Sequence, residues 1–94
     1  MKREVFQAPL FARQKNRLHP KKITALDLIV QTLLENPQIG EEKRGDLAGV
    51  YVHKFKVKAK LFLLAYEFDD FEILLIALGP HENFYRDLKR YMKA

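Results

Sequence analysis

Four lysines stand at alternate positions in this 94-residue chain: Lys54, Lys56, Lys58 and Lys60. On a persistent strand alternate residues share a face, which would line up the four ammonium groups at intervals of about 6.6–7 Å. Phosphates along a nucleic-acid strand have a comparable spacing. Such a row repels itself unless something anionic binds it. Lysines also keep a solvated edge strand from pairing with other chains, and these four fit that description too. A second group is Gly79-Pro80-His81-Glu82-Asn83-Phe84-Tyr85. Histidine and tyrosine can move protons, histidine most readily near neutral pH. His81 and Tyr85 are four residues apart and share a face if the segment is helical. Glu82 equally suits the start of a helix, where its charge favours the dipole, and Phe84 suits a core. His53, between Tyr51 and Phe55, reads more simply as a core histidine than as a ligand.

Several chemistries are excluded by residue type. The chain has no cysteine and no serine, so thiolate metal sites, disulfides and serine nucleophiles are impossible. Three scattered histidines form no metal-binding pattern, and four dispersed glycines form no phosphate-binding loop. No metal and no cofactor are expected.

The elements that must position these residues follow from period and breakers. Glu4–Gln7 reads as a short strand. Pro9–Leu18 reads as a helix, with proline in its first turn. His19-Pro20 interrupts it, because a residue before proline is pushed out of the helical region. Ile23, Leu26, Val30 and Leu33 recur at spacings of three and four, which predicts a second helix over Pro20–Glu35. The two helices should form an antiparallel hairpin. Gln38–Gly45 is polar and reads as a loop. From Val50 to Val57 the period becomes two, with Tyr51, His53, Phe55 and Val57 on one face and Val52, Lys54 and Lys56 on the other. A tight connection at Lys58–Lys60 leads to Leu61–Phe68, apolar enough for a central strand. Asp69-Asp70 reads as a turn, Phe71–Leu78 as a third strand ended by Gly79-Pro80, and His81–Lys93 as a closing helix. The order is β-α-α-β-β-β-α. It predicts a single α+β domain over residues 1–94, an antiparallel meander covered on one face by the helical hairpin, with the other face partly open.

The net charge is +5, from 17 Lys+Arg against 12 Asp+Glu. It comes in blocks of +6, −4, +5, −5 and +3 over residues 2–22, 23–42, 43–60, 61–82 and 83–94. Blocks of alternating sign are what solvated faces produce, but two basic stretches could also converge on one acidic partner. No apolar run approaches a membrane span, and MKREVFQAP has no apolar segment behind its basic residues. A cytoplasmic protein with no membrane partner is expected.

Taken with this order, Gly45-Asp46-Leu47-Ala48-Gly49-Val50-Tyr51, Leu63-Leu64-Ala65-Tyr66 and Leu78-Gly79-Pro80-His81-Glu82-Asn83-Phe84-Tyr85-Arg86-Asp87-Leu88 resemble the RelE/ParE superfamily of bacterial toxins. The resemblance covers nearly the whole chain. It implies the RelE/ParE-like microbial RNase fold and a toxin neutralised by an antitoxin encoded in an adjacent gene, in a toxin–antitoxin hetero-oligomer. RelE-like members enter the ribosomal A site and cut mRNA without a metal; ParE-like members inhibit DNA gyrase. The RelE-like pattern matches Lys54 and Lys56 as paired strand lysines, His81 as the basic residue after the third strand, and Tyr85 as the C-terminal tyrosine. It expects an arginine where this chain has Leu63, with Lys60 as a stand-in. Under this reading Lys54, Lys56, His81 and Tyr85 are catalytic, and Lys58, Lys60, Arg44 and Arg86 contact RNA. The gyrase reading stays open because of Leu63.

Overall fold

In the computed structural model, which describes residues 3–93, the short Glu4–Gln7 segment is strand β1. Met1, Lys2 and Ala94, counted in the expected domain, lie outside the described residues. Pro9 opens helix α1, Pro9–Asn16, which stops two residues before the expected Leu18. There the Arg17 and Leu18 N–H groups bond back three residues, to Gln14 and Lys15, and tighten the chain out of the α-helix ahead of His19-Pro20. Helix α2 spans Pro20–Glu35, with the His19 imidazole accepting from the Lys21 N–H at its start. No helix among the described residues is long and apolar enough to cross a membrane.

The segment that reads as a polar loop contains two short structures. Pro37–Ile39 is a 3-10 turn, and Glu41–Glu42 forms strand β2. Two residues are too few to show a period, so β2 exists only through its pairing with Val52 and Tyr51. Strand β3 is Tyr51–Val57, β4 is Lys60–Phe68 and β5 is Glu72–Pro80. The Asp69 carboxylate accepts from the Phe71 and Glu72 N–H groups and makes the β4–β5 turn. Helix α3 is Phe84–Lys93. It begins three residues later than expected, because Asn83 takes a φ of 63° and β5 runs on through Gly79-Pro80.

The sheet order is β1-β5-β4-β3-β2. The expected meander is β3-β4-β5, but β1 joins β5 in parallel, so the whole sheet is mixed. Beyond Leu75 the outer edge of β5 is closed by α1, where the Gln14 side chain accepts from the Leu78 N–H at 2.6 Å. Each sheet face carries its own core. On the first, Phe11, Leu26 and Leu33 of the helical hairpin pack on Leu64, Tyr66, Ile73, Leu75 and Leu78. On the second, Phe84 and Leu88 of α3 pack on Val52, Leu63, Ala65, Ile76 and Ala77. The second face is therefore closed over its centre by α3, while Lys54 and Lys56 at the far end of β3 and Phe6 at the β1 edge stay exposed.

An irregularity between Ala65 and Tyr66 sets these faces. Ala65 pairs with Ala77 but Tyr66 with Leu75, so β5 carries one extra residue, Ile76. The bulge shifts the phase of β5, and Ile76 and Ala77 both join the second core. It also places Gly79 opposite Leu63 and Lys54 on the α3 side.

Candidate functional site

Strand alternation puts Lys54 and Lys56 on the α3 face, both exposed, in the part of the sheet that α3 leaves open. Lys54 pairs with Leu63, which pairs with Gly79; Lys56 pairs with Leu61. Two strand spacings separate the Lys54 and Gly79 backbones, about 10 Å, and His81 follows Gly79 by two residues. The imidazole of His81 meets the ring of Tyr85 edge-on, with centroids 6.4 Å apart. Their proximity does not come from a shared helix, as the spacing suggested. His81 lies in the turn before α3, and its carbonyl accepts from the Phe84 N–H. Tyr85 is half-buried, held edge-on against Phe84.

A residue absent from the sequence reading completes this group. The Lys43 ammonium lies 5.0 Å from the centre of the Tyr85 ring and pairs with the Glu41 carboxylate at 2.9 Å. The bond to Glu41, with a smaller contribution from Tyr85, pushes the Lys43 pKa up. Reciprocally, Lys43 pulls the Glu41 pKa down, and Lys54 adds to that from nearby. Lys54, Glu41, Lys43, Tyr85 and His81 thus form a chain of neighbours drawn from β3, β2, the following loop, the start of α3 and the turn before it. The one sequence signal for Lys43 was its place in the basic block 43–60; nothing in its spacing aims it at Tyr85.

The expected four-lysine row is broken. Lys58 and Ala59 form the β3–β4 turn, both with left-handed backbone (φ 51° and 69°), so Lys58 sits at the hairpin tip. Lys60 pairs with Val57 and its ammonium lies 5.7 Å from the Phe62 ring, on the face of the helical hairpin. The period survives to Val57, but the two-residue turn reverses the chain and places Lys60 on the opposite side from Lys54 and Lys56. Lys60 therefore cannot stand in for the arginine expected at Leu63. Leu63 itself is completely buried in the core with Phe84 and Leu88. Arg44 is exposed just before the 3-10 turn Gly45–Leu47. Arg86 is exposed and paired with Asp87 at 3.3 Å. His53 faces the helical hairpin, stacked on Phe55 at 6.5 Å, and burial pushes its pKa down.

Among the described residues no three His, Asp or Glu side chains are grouped to hold a metal ion. A cleft of about 410 Å3 lies between α1 and α3, walled by Leu10, Arg13, Arg17 and Arg90, and contains none of these site residues. The Lys54 site is instead an open surface, which suits a polymer more than an enclosed small molecule.

A model of the ParE-like toxins of type II bacterial toxin–antitoxin systems matches residues 5–89. The chain belongs to this toxin family. Solved structures similar to it include RelE toxins, and they share its fold. Against the toxin of the E. coli RelBE toxin–antitoxin complex it has 20% identity and a TM-score of 0.69, over 85% of this chain and 98% of the other. For the Mycobacterium tuberculosis RelBE2 toxin–antitoxin complex the figures are 19%, 0.74, 86% and 100%. For a free-state E. coli RelE mutant they are 19%, 0.73, 97% and 98%. No curated protein matches the chain. The ParE-like toxin thus has a RelE-like fold, with a mixed five-stranded sheet and three α-helices among the described residues.

Proposed function

We propose that this toxin is a ribosome-dependent, metal-free mRNA endonuclease of the cytoplasm that arrests translation. The observation that carries the reading is the convergence of Lys54 and Lys56 with the His81–Tyr85 pair and Lys43 on one open face. In the reaction, an mRNA 2′-hydroxyl loses its proton to a base and attacks the adjacent 3′-phosphate. The bond from phosphorus to the 5′-oxygen of the next nucleotide breaks, and an acid protonates that oxygen. The products are a cyclic phosphate and a 5′-hydroxyl. Lys54 and Lys56 stabilise the extra charge on phosphorus, one of them also fitting the role of base. His81 serves as acid or base, and Tyr85 stacks on or orients a nucleotide, its ring backed by Lys43. Arg44 and Arg86 contact the strand at the flanks. A positioned proton-transfer group contributes roughly 10²–10⁴-fold, so the free protein is a poor nuclease and the ribosome supplies the alignment. An antitoxin encoded in an adjacent gene is the expected partner, its acidic or amphipathic segment held against a basic face.

Toeprinting on translating ribosomes tests this. Wild type should give codon-localised cuts, and Lys54→Ala and His81→Ala should lose them by at least tenfold. Uncut mRNA, or variants that cut like wild type, would remove the nuclease reading. The buried Leu63, which supplies no cation, favours the second reading, a DNA gyrase inhibitor gripping its target through the helical hairpin. Inhibition of supercoiling with mRNA left intact would select it.

A further inference from the structure

A second basic surface lies on the side of the β3–β4 hairpin away from Lys54 and Lys56. Residues distant in sequence build it. Lys21 and Lys22 come from the first turn of α2, Lys58 from the hairpin tip and Lys60 from the start of β4. His19, Lys21, Lys22, Val57 and Lys58 line a shallow cavity of about 190 Å3. Beside it, the Lys22 and Lys60 ammonium groups flank one ring, lying 5.1 Å and 5.7 Å from the centre of Phe62. Among the described residues the ion pairs are Lys43–Glu41 and Arg86–Asp87, so none of these four lysines is neutralised by a carboxylate. The helix end contributes no free donor at Lys21, whose N–H is taken by His19.

We infer that Lys21, Lys22, Lys58 and Lys60 form a docking surface for the phosphate backbone of a nucleic-acid duplex, separate from the Lys54 site. Four unpaired like charges held together on two elements stabilise a polyanion and repel one another without it. The chemistry favours backbone contact over base contact. Proteins that hold single strands offer exposed aromatic rings for stacking, whereas the Phe62 ring here is 4% exposed and stacked on Phe55. It also disfavours an acidic protein segment. Protein interfaces are depleted in lysine at their centre and enriched in aromatic residues and arginine, and this cavity presents lysines around Val57. The hairpin thus carries basic side chains on both faces, with Lys58 at its tip.

The test uses the full chain, a short RNA duplex and a DNA duplex of equal length, with binding followed by anisotropy across a salt series. Neutralising the pair as Lys21→Gln/Lys22→Gln should weaken binding at least tenfold. It should also flatten the slope of log affinity against log salt by about 1.8, two phosphate contacts at about 0.9 each on a duplex. The charge-preserving Lys21→Arg/Lys22→Arg pair should restore both, which separates lost charge from lost folding. Loss on both duplexes marks any phosphate backbone as the ligand; loss on RNA alone marks a double-stranded RNA. If the Gln pair binds both duplexes like wild type, the inference is wrong, and a weakened antitoxin complex in that case would assign the surface to a protein. Binding is read without cleavage, so failure of the nuclease reading would leave this result standing.

Discussion

At Leu63 an uncharged side chain sits completely buried beneath Phe84 and Leu88, paired with Gly79 on one side and with Lys54 on the other. Its neighbours are apolar, so the position is packing rather than a cation waiting to be restored. Leu63→Arg should lower unfolding stability by more than about 3 kcal/mol, since a guanidinium there has no partner. Urea denaturation checks this. Unchanged stability would mean that the side chain escapes to the open face beside Lys54, and the position could then serve an anion after all. Lys43 is the converse case. Its pairing with Glu41 and its place over Tyr85 bring a third cation to the site that spacing alone could not announce.

Among the elements, the β3–β4 hairpin carries the most consequence. Its turn holds Lys58 and Ala59 in the left-handed region, where two-residue hairpins favour Asn-Gly. Ala59→Gly should stabilise the fold by about 0.5–1 kcal/mol by removing the Cβ penalty, seen as a higher urea midpoint. A second element is the loop between α2 and β2. The buried Tyr66 hydroxyl donates to the Pro37 carbonyl at 2.6 Å and accepts from the Gly40 N–H at 3.0 Å. A Cβ at Gly40 would overlap that hydroxyl. Tyr66→Phe leaves both backbone groups without this partner and should cost about 1–3 kcal/mol. Burial pushes the Tyr66 pKa up to about 12. The unfolded chain releases this proton near pH 10, so the contribution is whole below pH 10 and is lost as pH rises towards about 12. Wild type should therefore lose stability over that window by on the order of 2 kcal/mol more than Tyr66→Phe, read from urea midpoints at successive pH values.

Across the whole molecule, two cores share one sheet, and a chain of 94 residues has little stability in reserve. Helix α3 closes the second core through Phe84 and Leu88 and also carries Tyr85. Leu88→Ala should cost about 2–5 kcal/mol, a large part of a total that is about 5–15 kcal/mol for a typical domain. Denaturant unfolding gives the value, and a loss below about 1 kcal/mol would show that α3 adds little to the core. The candidate site and the stability of the second core thus depend on the same helix.

The sequence by itself determined the longer helices and strands, because period and breakers are local. The α2 pattern, the change to period two from Val50, the Asp69 turn and the residues behind the family resemblance could all be read directly. It also determined which chemistries are absent, since cysteine and serine are missing. Only the tertiary structure decided which cations act together. The Lys58–Ala59 turn reverses the chain and sends Lys60 to the face opposite Lys54. The Ile76 bulge shifts the phase of β5 and aligns Gly79 with Leu63. Strand β2 is too short to show a period, and it leads directly into Lys43. Each of these depends on register between strands distant in sequence, and a one-residue shift there exchanges the faces of every side chain that follows.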